Sequence, residues 1–186
     1  MIPSNAYLEV NLKNIIFNYK YLSSFNKKNL TGATIKANAY GLGDKKIIET
    51  LYKIGCRHFF LATLEEAINL RKNFKYGKLY ILNGIDKQNF NRIAKEKNII
   101  PIINSIENLN DFLQYKKRIN VGIHLDTGIN RLGIKINDIN KIKLKKNIKI
   151  KIILSHLASA DEKNNPFNIE QNKYFKQTKS IIPNNS

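Results

Sequence analysis

Tryptophan is absent, and cysteine and methionine each occur once, in a chain of 186 residues. A single cysteine excludes an intrachain disulfide framework and any thiolate-rich metal centre. Cys56 follows Gly55 in an apolar stretch, where core filler is its expected role, and a reducing cytoplasmic setting is expected with it. No apolar run approaches the ~18 residues of a membrane-spanning helix, so no membrane partner is expected. The opening residues, Met1-Ile2-Pro3-Ser4-Asn5, lack the basic and apolar regions of a secretory signal. Acidic residues are scarce too: 14 Asp and Glu face 32 Lys and Arg, a net charge of +18. Such an excess raises nucleic-acid binding as a reading. The lysines, however, are scattered among abundant Ile and Asn, and the densest stretch, Lys141 to Lys151, alternates Lys with Ile as a solvated face would. Zinc-finger spacing and interleaved aromatics are missing, so no nucleic-acid partner is expected.

What is present is the composition of a soluble globular domain, 42% apolar and 25% charged, spanning 1–186. Short, nearly continuous apolar runs alternate with helix-length segments. The runs are Thr34–Lys36, His58–Ala62, Lys78–Leu82, Ile99–Ile103, Val121–Leu125 and Lys151–Ser155. Unbroken apolar runs of this length read as strands buried on both faces. Between them, Thr63 and Ser105 stand where helix N-caps belong, and Asp86 opens a further segment. Strand–helix alternation at roughly 20–25-residue intervals predicts βαβ units and a parallel sheet, in a barrel or a doubly wound arrangement. Ahead of them, Tyr7–Leu12 alternates like an extra strand, and Asp161-Glu162 reads as a charge pair at a helix N-terminus.

The most informative segment is Ala33-Thr34-Ile35-Lys36-Ala37-Asn38-Ala39-Tyr40-Gly41-Leu42-Gly43. A lysine at the end of a buried strand is costly unless it is paired or chemically used. Burial favours the neutral amine, which is the nucleophilic form. A tyrosine four residues on, in a glycine-rich turn, can reach an anion held by backbone N–H groups. Together these point to a Schiff-base lysine beside a phosphate-bearing aldehyde, pyridoxal phosphate (PLP). A lysine that simply extends to solvent is the competing reading.

Lys36–Gly43 resembles the cofactor-lysine motif of the alanine racemases, the barrel-type PLP racemases. Two further segments match in order: His124-Leu125-Asp126-Thr127-Gly128-Ile129-Asn130-Arg131-Leu132-Gly133 and Ser155-His156-Leu157-Ala158-Ser159-Ala160-Asp161-Glu162. The resemblance implies a (β/α)₈ barrel of which about six of the eight strands are expected in this chain, with the C-terminal β-domain absent. It further implies that Tyr7–Leu12 is a strand packing on that missing domain, and that the chain is an N-terminal fragment. It implies conversion of L-alanine to D-alanine by a homodimer, in support of cell-wall precursor synthesis. Lys36 would bind the cofactor and act as acid and base at Cα, and Tyr40 would hold the phosphate. Arg131 would contact the cofactor's phenolic oxygen and the substrate carboxylate. His156 would lie beside the ring and Leu82 would pack on it. The base for the opposite face would be a tyrosine of the partner subunit's missing domain.

Two positions depart from the family pattern. His124 stands where a lysine that becomes carbamylated and orients the arginine is common, so another group or an anion must do that work, or Arg131 is held less firmly. Leu42 stands where a histidine is frequent. The runner-up reading is a single-domain barrel-type PLP-binding protein without racemase activity. Arg131 could also merely pair with Asp126 across a turn, and His156 could be a satisfied core histidine.

Overall fold

The computed structural model describes residues 6–25, 30–141 and 144–182. The opening pentapeptide, part of Lys141–Lys151 and the last four residues lie outside the described residues. The chain forms two compact units, Met1–Leu79 and Tyr80–Ser186. All the strand pairings in them described below are parallel, and the architecture is α/β.

In the first unit, helix α1 (Leu12–Ser24) starts at Asn11, whose side chain accepts the N–H groups of Lys13 and Asn14 at 3.0 and 3.4 Å. Over Tyr7–Leu12, where a strand packing on a further domain is expected, residues 7–11 carry no strand by themselves and Leu12 is already helical. The Asn11 cap commits the backbone to a helix, and an alternating pattern makes a strand only where a neighbour supplies hydrogen bonds. Strand β1 (Ala33–Thr34) pairs with β2 (His58–Leu61) in the register Ala33↔Phe59, and Ile35 N–H extends the ladder to Phe60 O at 2.9 Å. A short left-handed segment, α2 (Lys36–Tyr40), follows; α3 (Asp44–Lys53) then buries Ile47, Ile48 and Leu51. Helix α4 (Leu64–Asn73) begins at Thr63 with a complete capping box. Strand β3 (Lys78–Ile81) opens with Lys78 N–H donating to Arg57 O.

The second unit contains α5 (Phe90–Ile93) and β4 (Ile99–Ile103), which is buried at every residue. Helix α6 (Ile106–Gln114) is capped by Ser105, as its sequence predicts. Then come β5 (Ile119–Asp126), a two-residue β6 (Ile134–Lys135), β7 (Ile148–Leu154) and α7 (Pro166–Ile181). Strand β5 pairs with β4, β6 and β7. Its register against β7 shifts at Val121/Gly122. A Cβ on Gly122 would stand 2.4 Å from Ile102 Cδ1 and 2.7 Å from Ile152 Cγ2, so this crossing of three strands needs a glycine. The ring of Phe90 stacks on Phe112 at 4.3 Å and ties α5 to α6.

All six strands read from the sequence are therefore present, with ends shifted by up to three residues. Strand β6 was not legible as a strand. Asp161 and Glu162 stand in a turn and not in a helical first turn, because Asn165 supplies the cap and Pro166 the first residue of α7. Among the described residues no helix is long and apolar enough to cross a membrane.

Candidate active site

Lys36 directly follows the β1 ladder, where the chain makes an uncommon turn. Ala37, Asn38, Ala39 and Tyr40 all have φ between 50° and 55°, and Gly41 follows at 87°. Four consecutive non-glycine residues in the left-handed region carry strain on the order of 1–2 kcal/mol each. Hydrogen bonds from Ala39 N–H to Ile35 O (3.0 Å) and Gly43 N–H to Asn38 O (2.9 Å) hold the turn. Asn38 Oδ1 also accepts the Asp44 N–H at the start of α3. The main anchor is Glu66. One carboxylate oxygen accepts Ala37 N–H at 2.7 Å; the other accepts Ala62 N–H at 2.7 Å and Thr63 N–H at 3.3 Å. One side chain thus fixes the backbone beside Lys36 and the start of α4 together.

The Lys36 side chain is half-buried, with Nζ 5.9 Å from the Tyr40 ring centroid. Among the described residues no carboxylate lies within ion-pair distance of it. An amine so placed is free to condense with an aldehyde, and the exposed Tyr40 phenol is free to donate to an anion.

Two predictions follow from this turn. Glu66→Ala is expected to cost about 2–3 kcal/mol in urea denaturation, because charge-assisted acceptors for three N–H groups are lost. Ala37→Gly is expected to raise stability by up to about 1 kcal/mol, the opposite of the usual helix result, because glycine adopts φ of 50° without strain.

The remaining candidates lie in the second unit. Leu82, just past β3, is half-buried, and its carbonyl accepts Asn104 Nδ2–H at 2.8 Å. Arg131 is exposed in the loop after β5. It does not pair with Asp126, whose Oδ1 accepts the N–H groups of Gly128 and Asn130 at 3.0 and 3.1 Å. His156 is exposed two residues past β7, which excludes a core role; its Nδ1 donates to Leu157 O at 2.7 Å. Beside it lies a cavity of about 450 Å³, lined by Thr127, Ser155, Asn168 and Gln171 among others. Gln171, buried at 1% exposure, donates to Thr127 Oγ1 and His156 O and accepts Ala158 N–H, so it sets the path of the chain after β7. His124, on β5, is buried, and its Nδ1 lies 3.0 Å from Asn104 Oδ1.

Burial holds the His124 imidazole below its ordinary range; Asp126 partly opposes this, while His156 and Arg131 add to it. Burial and the nearby Lys78 lower His58 likewise. In the unfolded chain both rings take up protons near pH 6.5, before the folded ones do. Their stabilisation is therefore complete above about pH 6.5 and is lost progressively as pH falls toward the lower folded-state values. Urea midpoints between about pH 5 and 8 are expected to drop on the acid side, with imidazole NMR titrations placing both folded values under 6.5.

Glu66, Asn104 and Gln171 were not singled out from the sequence. Glu66 was legible as a cap partner for Thr63, three residues away, but its bond to Ala37 spans 29 positions. Gln171 had no signal at all, being a helix residue whose partners lie 13 to 44 positions distant.

Parallel βα units, each with candidate site residues just past its strand ends, define an α/β domain of the barrel class. The family model described as "Alanine racemase, N-terminal domain" matches residues 10–185, and the chain belongs to that family. It is similar to the alanine racemase of Rickettsia akari, 37% identical over 95% of this chain and 52% of that protein. The crystal structure of alanine racemase from Bartonella henselae with covalently bound pyridoxal phosphate matches at TM-score 0.86 and 32% identity, covering 94% of this chain and 53% of that one. The biosynthetic alanine racemase of Pseudomonas aeruginosa matches at TM-score 0.80 and 25% identity, over 93% and 50%. The chain thus spans about half the length of the relatives it matches.

Proposed function

We propose that this chain is the barrel portion of a PLP-dependent alanine racemase that interconverts L- and D-alanine in the cytoplasm. One observation carries the reading: a half-buried Lys36 amine without a carboxylate partner among the described residues, on a strained turn clamped by Glu66. The donor set fits the cofactor. An amine is present for the aldehyde and a phenol for the phosphate, and a guanidinium that no carboxylate among the described residues neutralises is available for anionic oxygens.

In this reading Lys36 would hold the cofactor, Tyr40 would hydrogen-bond its phosphate, and Leu82 and His156 would border its ring. Arg131 would bind the phenolic oxygen and orient the substrate carboxylate. When bound, PLP supplies the electron sink that makes the Cα–H acidic. The Lys36 amine takes that proton, or returns it, on one face of Cα. The group serving the opposite face lies outside the described residues, and we assign it to the partner subunit of a homodimer.

The test uses the full-length protein with PLP. Borohydride reduction followed by peptide mapping is expected to find the cofactor on Lys36. In D₂O, both alanine enantiomers are expected to gain deuterium at Cα and to interconvert. Cofactor on a different lysine overturns the assignment. Cofactor on Lys36 without interconversion leaves a PLP-binding barrel that is not a racemase.

A further inference from the structure

Asn104 decides which nitrogen of His124 carries the proton. Its amide nitrogen faces two carbonyl oxygens, Leu82 O at 2.8 Å and Ile102 O at 3.4 Å, where only a donor fits. The amide oxygen therefore faces His124 Nδ1 at 3.0 Å and accepts from it. The imidazole is consequently N–H at Nδ1. His124 is only 6% exposed, and burial disfavours the cationic ring. At neutral pH its Nε2 is thus a bare lone pair, sealed from solvent and without a hydrogen-bond partner among the described residues.

An unsatisfied buried acceptor is costly, so it calls for a donor. Three charged or titratable groups act on the ring: Asp126, His156 and Arg131. Asp126 offers acceptors only, and one of its oxygens already serves two backbone N–H groups. His156 commits its Nδ1 proton to Leu157 O. Arg131 alone carries permanent donors, and no carboxylate among the described residues holds it.

We infer that His124 Nε2 accepts a guanidinium N–H from Arg131 when that side chain turns inward, and that His124, oriented by Asn104, is the positioning residue for this arginine. A neutral lone pair facing the guanidinium also excludes an anion at that spot. The consequence for catalysis rests on the function proposed above; the tautomer and the contact do not.

The experiment is ¹⁵N-histidine NMR on the full-length protein. A pyrrole-like Nδ1 and a pyridine-like Nε2 are expected for His124, with the Nε2 resonance moving in Arg131→Leu. A pyrrole-like Nε2, or an Nε2 unmoved by Arg131→Leu, overturns the inference, and neither reading requires a His124 variant to fold. In turnover assays, His124→Leu is expected to raise the KM for alanine about tenfold and leave the visible cofactor band in place. His124→Gln, which keeps an acceptor near the Nε2 position, is expected to recover most of that loss. Equal KM values for the two variants count against the inference. A Lys36→Ala protein that retained its cofactor band would instead defeat the functional reading and leave the NMR result standing.

Discussion

Lys36→Ala is expected to abolish the visible absorption of bound cofactor and to lower racemisation by at least about 10³-fold. Two losses combine in the one substitution: the covalent attachment point, and the acid–base group on one face of Cα, the latter alone contributing typically 10²–10⁴-fold. No second lysine is carried on the turn: Lys45 and Lys46 lie beyond Gly43, in the exposed first residues of α3. Lys36→Arg is expected to fail equally, because a guanidinium keeps the charge but neither condenses with an aldehyde nor gives up its proton. The measurements are absorption spectra and a chiral alanine assay on full-length protein. Retention of the band in either variant would show that a different amine holds the cofactor.

Gly133→Ala is expected to be the most damaging single-methyl change in the second unit. Its φ is +116°, where side chains are strained, and the new Cβ would stand 2.6 Å from Asp126 N and 3.0 Å from Leu125 C. Both obstacles are backbone, so no rotamer relieves them, and β6 would have to move off β5. Backbone strain of about 1–3 kcal/mol and overpacking of a similar size combine to a loss of roughly 2–6 kcal/mol. That is a large share of the 5–15 kcal/mol typical of a folded domain. Gly43→Ala is the control: φ is +93°, but nothing lies within 4 Å of the added Cβ, so only the strain applies. Denaturant midpoints compare the two directly. Equal losses would show that conformation, and not collision, sets the cost at Gly133.

The parts of the fold that announce themselves locally were readable in advance. Apolar runs marked six of the seven strands, and Thr63 and Ser105 marked two helix starts through side chains that reach only three residues ahead. Three parts were not readable. The left-handed turn after Lys36 runs against the intrinsic preference of Ala, Asn and Tyr, and persists because Glu66 and the β1 ladder hold both ends. Strand β6 is two residues long and exists only by pairing with β5. Over Tyr7–Leu12 a period of two has meaning only beside a neighbouring strand, whereas the Asn11 cap acts alone. Of the candidate site, Lys36, Tyr40, Arg131 and His156 were singled out by residue type and place in the chain. The residues that orient them were not, because Glu66, Asn104 and Gln171 act across the chain fold.

The double duty of Glu66 has a practical corollary for anyone re-engineering this domain. Stabilising α4 by rewriting its opening residues, an ordinary surface optimisation, would here also release the backbone beside Lys36 some thirty positions upstream. Any library that varies Thr63 or Glu66 should therefore be screened for turnover as well as for melting temperature, since gains in one are free to come at the expense of the other.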